Sequence, residues 1–533
     1  MATATTGCGS AVVVPPPEAD GSMPRERMPH VHATNDDPVV TALSEVVGGP
    51  MGERARPHRW WTPMRVLLLL TALTCCLGLV QKAPCSLVDG KDQNWVYSHM
   101  CYTDLRPLYV PRGLAEHAWP YSDDEQTRAR YEVMEYPVGI AYWAWGTAWV
   151  THWLNGSPDV EQRYQSPVDR LYDDEEVDDE QTIFLLVNAI GFAFLALAAV
   201  WLLSRTHERR PWDAAAFALS PALLLTGLIN WDLIAVALVA GALWSWSRDR
   251  PVLTGILIGL GTAAKLYPLF LLGAILVICL RRRQYWTFGS VTVSAALAWL
   301  VANAPGFLTG PDQWKVFWSF NAERTADLGS VWMLIDQAGD IGFKAHTINV
   351  WSWIIFGAWC LGVFVIGMTA GRGAQESPLK RVFLRFLPVA TGKKRQKTSG
   401  SGCADSVTPR LAQLGYLIVV GFLLVNKVYS PQYVLWLLPL AVLARPRWRD
   451  QLIWQGTEVF YFCTIWWYLG GYLTPAGGGD AGFYWVGIAV RVLGELYLAA
   501  VIVRDLYRPD HDPVRLDAPD DLAQAGSSSS PSR

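Results

Sequence analysis

The chain has 533 residues, 51% of them apolar and only 17% charged, with 27 tryptophans and a net charge of −3. A soluble domain averages about 25% charged residues, so two to four soluble domains fit this composition poorly and a chain of many membrane crossings fits it well. The near-neutral balance gives no footing for nucleic acid as a partner, and the nine cysteines show no metal-ligand spacing.

Residues 1–60 are rich in Pro, Gly, Ser and charge, without periodicity, and read as a disordered tail. The first apolar run covers 64–80. Arg54, Arg56, His58, Arg59 and Arg65 precede or open it, which places the N-terminus in the cytoplasm. The following loop is then outside, where Cys85 and Cys101 could close a disulfide. Residues 136–154 form a further apolar helix, followed by an acidic loop at 155–180. Later apolar runs fall near 182–203, 212–229, 231–246, 252–264, 266–280, 287–303, 348–368, 409–425, 432–445, 454–473 and 483–502. The expectation is an all-α polytopic membrane protein of about 12–13 membrane helices. Its membrane domain spans 61–505, with a basic cytoplasmic loop at 371–408 and a second disordered tail at 506–533.

Basic clusters test this topology independently. Arg205, Arg209 and Arg210 form one, Arg248 and Arg250 another, and Arg281, Arg282 and Arg283 a third. The 371–408 loop, the group Arg445, Arg447 and Arg449, and finally Arg504 continue the series. From Arg205 onward every second connection is basic, so these connections and both termini read as cytoplasmic. A full crossing by 136–154 would break the alternation. Either that helix returns on the outer face, or the positive-inside rule fails once.

With this topology, polar residues collect at the outer ends of the helices. Asp104 and Arg106 lie in the first outer loop, and Glu135 and Tyr136 stand where the chain re-enters the apolar phase. Asn230 and Asp232 flank Trp231 in a hairpin, while Lys265 and Tyr267 interrupt a long apolar stretch. Glu323 and Arg324 lie in the large outer loop, with His346 and Asn349 beyond them, and Asn426, Lys427, Gln432 and Tyr433 form the last group. Caps and interfacial anchors account for residues of these types singly. Lys265, set between Ala264 and Leu266, is either a snorkelling side chain or a cation for an anionic headgroup. Carboxylates, cations and aromatics at one face suit sugar transfer from a lipid phosphate. The cations would hold phosphate, and a carboxylate would take the proton of the acceptor hydroxyl. Gly259-Leu260-Gly261 reads as a helix-packing patch.

The runs Thr103-Asp104-Leu105-Arg106, Glu135-Tyr136-Pro137, Ala263-Ala264-Lys265-Leu266-Tyr267-Pro268, and Asn426-Lys427 with Ser430-Pro431-Gln432-Tyr433 resemble the bacterial GT-C superfamily, specifically glycosyltransferase family 87. The resemblance extends over about 64–503 and includes actinobacterial mannosyltransferases. It implies a bacterial plasma-membrane enzyme with its active site outside, using a polyprenyl-phosphate donor, with mannose as the expected sugar, and a glycolipid or glycan acceptor. It also implies inversion from a beta-linked donor, with Asp104 as base and the other named residues as cavity residues. No cofactor is implied, and a metal role is doubtful because Asp104 is flanked by Thr103 and Leu105 and lacks a second acid. Membrane lipids are expected neighbours, and the basic loop could dock a cytoplasmic or envelope protein. The alternatives are a lipid or sugar transporter or flippase, with its broken helices, and a non-catalytic scaffold for envelope enzymes.

Overall fold

The computed structural model describes residues 37–47, 59–86, 93–371, 408–473 and 482–516. Among the described residues every regular element is helical. The principal helices are α1 (Pro63–Ser86), α2 (Val138–Leu154), α3 (Glu175–Thr206), α4 (Asp232–Ser247), α5 (Pro251–Ala264), α6 (Leu271–Arg282) and α7 (Tyr285–Thr309). They continue with α8 (Pro311–Glu323), α9 (Ala345–Thr369), α10 (Leu411–Val425), α11 (Val434–Ala444), α12 (Trp448–Leu469) and α13 (Gly482–Tyr507). Five of them, α1, α3, α7, α9 and α13, are long and apolar enough to cross a membrane. The chain is a polytopic membrane protein. The other expected crossings are shorter or broken helices. The run at 212–229, for example, is split at Ser220, which caps the short helix Pro221–Thr226 by accepting from Leu223 N.

Short helices create the site. At 1.5 Å per residue, α11 is about 17 Å long and α5 about 21 Å, against a hydrocarbon core of about 30 Å. Each stops at non-helical backbone, which is tolerated at such depth only where it is buried in protein or lines a cavity. The chain turns to extended geometry at Lys265 and at Ser430, just before Pro268 and Pro431 deny the helix an amide donor. Every residue of α11 is buried, as expected for a helix apolar on all sides. Helix α4 packs against α3, α5 and α11, and α5 lies along α7. That last contact is close because a Cβ on Gly259 would meet the Ala295 carbonyl oxygen at 2.2 Å.

The neighbours of α2 bear on the parity question. Trp143 donates to Asn188 Oδ1 (3.0 Å), and His152 Nδ1 lies 3.6 Å from Glu180 Oε1. Asn155 reaches the Glu176 carbonyl at the start of α3. Helix α2 therefore runs antiparallel along the N-terminal half of α3. The segments on either side of it also meet: Arg163 donates to the Ala115 carbonyl (3.2 Å), and Arg106 pairs with Asp178 in the first turn of α3 (2.8 Å). The segments before and after α2 therefore come together at the same end of the molecule, an arrangement that fits a helix returning on one face.

The basic clusters gather at the opposite rim. Arg281 donates to the carbonyls of Gly367 and Ala370, and Arg248 to that of Arg205. Parts of both expected tails are ordered. Asp37 leads the helix Pro38–Val47 and accepts from Trp448 N at 3.0 Å. Asp512 is fully buried and pairs with Arg410 (2.8 Å), while Arg210 donates to the Pro513 carbonyl (3.0 Å). Buried ion pairs, invisible to composition, tie this segment to the helical body. The basic loop lies outside the described residues apart from its two ends.

Candidate active site

Asp104 sits in a loop fastened to the end of α1. A Cys85–Cys101 disulfide ties the two segments, with Cα atoms 5.8 Å apart. Gln81 donates to the Met100 carbonyl (2.5 Å), and buried Lys82 donates to that of Tyr102 (2.7 Å). Thr103 Oγ1 donates to the Leu228 carbonyl (2.7 Å), and Asp104 N donates to that of Ile229 (2.8 Å). The loop is thus also pinned to the chain leading into α4.

Its carboxylate is held at both oxygens. The Tyr102 hydroxyl donates to Oδ1 at 2.6 Å, and Asn230 Nδ2 donates to Oδ2 at 2.7 Å. Asn230 also donates to the Tyr136 hydroxyl (2.8 Å) and accepts from Trp231 N (2.7 Å), which fixes its amide orientation. Burial pushes the Asp104 carboxyl above the usual carboxylate range. The bonds from Tyr102 and Asn230 and the charge of Lys265 oppose this, and the charge of Asp232 reinforces it. A carboxylate so placed is a better proton acceptor than one in water.

Cations stand around the same space. Lys265 Nζ lies 3.4 Å from Asp232 Oδ1 and 5.1 Å from the centroid of the Tyr136 ring. Lys427 Nζ donates to Asn349 Oδ1 (2.6 Å), and Asn349 Nδ2 donates to the Ala322 carbonyl (2.6 Å). Burial, and then the charge of Arg324, lower the Lys427 ammonium from its ordinary value. Arg324 pairs with Asp327. The backbone of 327–329 runs beside 427–429: Asp327 N donates to the Lys427 carbonyl and Tyr429 N to that of Leu328. Gly329 is required there. Its φ is +73°, and a Cβ would meet the Tyr461 hydroxyl at 2.0 Å.

These groups enclose one cavity of about 710 Å³. Of the residues expected from sequence, Asp104, Glu135, Tyr136, Asn230, Lys265, Arg324, Asn349, Asn426, Lys427, Gln432 and Tyr433 line it. Five others do not. Arg106 is held by Asp178 and the Cys85 carbonyl, away from the cavity. Asp232 is fully buried behind Lys265, where its Oδ1 accepts from Trp436 Nε1 (2.6 Å) and its Oδ2 has no hydrogen-bond partner among the described residues. Tyr267 is stacked on Trp436 with ring centroids 4.8 Å apart, and is likewise buried. Glu323 and His346 are exposed outside the cavity, which is lined instead by Arg324, where the backbone leaves α8 in extended geometry, and by Asn349. Sequence reading also missed most of the aromatic lining: Tyr97, Tyr102 and Trp466 on one side, Phe317, Phe320, Trp353 and Phe356 on another. Only Tyr102 carried a signal, two residues from Asp104. Among the described residues no group of three His, Cys, Asp or Glu is arranged to hold a metal ion.

Residues 179–390 match the family model of Glycosyltransferase family 87. No curated protein matches the chain. The matched segment contains Asn230, Lys265, Arg324 and Asn349, whereas Asp104, Glu135 and the 426–433 group lie outside it. The match supports a membrane glycosyltransferase in general terms.

Proposed function

We propose that the protein transfers a sugar, mannose by the resemblance described above, from a polyprenyl-phosphate donor to a glycolipid or glycan acceptor on the extracytoplasmic side. The observation that carries this reading is the Asp104 carboxylate, held by Tyr102 and Asn230 beside a cavity that Lys265, Lys427 and Arg324 also line. The cations would balance the donor phosphate. The acceptor oxygen would attack the anomeric carbon as the bond from that carbon to the phosphate oxygen breaks. The electron pair leaves with polyprenyl phosphate, and the acceptor proton passes to Asp104. Attack from the face opposite the phosphate inverts the anomeric centre.

The disulfide next to the Asp104 loop fits an oxidising compartment, and the basic rim at the other end fits the cytoplasm. Asp104→Asn is the test, because the amide keeps the shape and cannot take the proton. Purified variant should bind donor normally, and its transfer should fall by 10²–10⁴-fold, the range typical of a positioned base. Near-normal transfer would remove Asp104 as the base.

A further inference from the structure

The cavity has two aromatic walls of different chemistry. On the side of α8 and α9, Trp353 and Phe356 have ring centroids 6.0 Å apart, and Phe356 lies 5.6 Å from Phe422. This wall adjoins the cations: the Arg324 guanidinium lies 5.5 Å from the Phe320 ring, and Lys427 is bonded to Asn349 of α9. On the side of α12, Tyr97, Tyr102 and Trp466 form a triangle of rings 5.1–6.4 Å apart. Their planes lie within 34° of one another, giving a contiguous aromatic face. This wall adjoins the base, since the Tyr102 hydroxyl donates to Asp104. It also holds an unmatched donor: the indole N–H of Trp466 is buried without a partner among the described residues.

We propose that the Tyr97–Tyr102–Trp466 wall is the subsite for the acceptor carbohydrate, its rings packing against the C–H face of the sugar that presents the attacking hydroxyl. This rests on the transferase reading. In an inverting displacement the attacking and leaving oxygens lie on opposite sides of the anomeric carbon. The acceptor therefore stands on the side of the base, and the phosphate with its lipid stands on the side of Arg324 and Lys427. A wall of phenol and indole rings suits a sugar, which has both apolar faces and hydroxyls. A wall of Phe rings and Trp353 suits a hydrocarbon chain.

The test uses the purified full chain with polyprenyl-phosphate mannose as donor and octyl α-mannopyranoside as acceptor. Trp466→Leu and Tyr97→Leu should each raise the acceptor KM about three- to tenfold, the loss of one aromatic contact, and leave the donor KM unchanged. Trp353→Leu should do the reverse. Trp466→Phe keeps a ring and should restore most of the acceptor affinity, which separates recognition from misfolding. A rise in the donor KM alone in Trp466→Leu, or no change in either constant, would overturn the subsite. Failure of the unmodified protein to transfer sugar at all would overturn the transferase reading and the subsite with it, whereas intact transfer with unaltered acceptor KM would overturn only the subsite.

Discussion

Removing the disulfide tests how the Asp104 loop is held. Cys85 and Cys101 are 16 residues apart, and loop-closure entropy for that length is worth about 3 kcal/mol at 25 °C. The double change Cys85→Ala, Cys101→Ala should lose that much from the segment. Four hydrogen bonds would still fasten it, made by Gln81, Lys82, Thr103 and the Asp104 amide. At about 1 kcal/mol each, these keep the loop seated at 25 °C, so transfer there should stay within about threefold of normal. Heat should expose the difference. The temperature of half-inactivation after a ten-minute incubation should fall by several degrees, and a reducing agent should produce the same fall in the unmodified protein. Peptide mapping with alkylation before and after reduction reports the bond itself. Alkylation of both cysteines without reduction, or coincident inactivation curves for variant and parent, would refute the reasoning.

Two further predictions concern the charges. Asn230→Ala removes a donor to the ionised Asp104, a bond worth about 1.5–3 kcal/mol to a charged acceptor. Losing it favours the protonated acid, so the acidic limb of kcat/KM against pH should move to higher pH, with activity recovering as pH rises; an unmoved limb would show that Asn230 does not tune the base. Lys265→Met leaves the Asp232 carboxylate buried without its cation, a change that costs about 3–5 kcal/mol. The variant should accumulate poorly, and adding Asp232→Leu should restore accumulation but not donor binding; a fully stable single variant would mean that the pair contributes nothing.

The sequence was most informative where polarity interrupts an apolar run. Lys265, Asn230 and Lys427 stand out because nothing around them needs a charge or an amide, and all three line the cavity. Local pattern said nothing of partners far away in the chain. Arg106 looked free to meet phosphate, yet it is bonded to Asp178, 72 positions on. Asp232 lies two residues from Asn230, but the first turn of α4 points it into the protein, where Lys265 and Trp436 meet it. Trp353 and Trp466 were illegible for a different reason: in a chain with 27 tryptophans, an aromatic ring in a membrane helix carries no signal of its own. The path of α2 was equally hidden. Hydropathy measures how apolar a segment is and not whether the next helix runs back beside it.

The clasp made by residues 509–516 also constrains when the molecule can be finished. Arg210 meets the Pro513 carbonyl across 303 positions, Arg410 meets Asp512 across 102, and Arg445 meets the His511 carbonyl across 66. All three arginines leave the ribosome before their shared partner segment exists. Domains tend to fold from the N-terminus during synthesis, but this rim can lock only once residues 511–513 have emerged. The helices must hold their arrangement through apolar packing until then, and this segment acts as a late fastening.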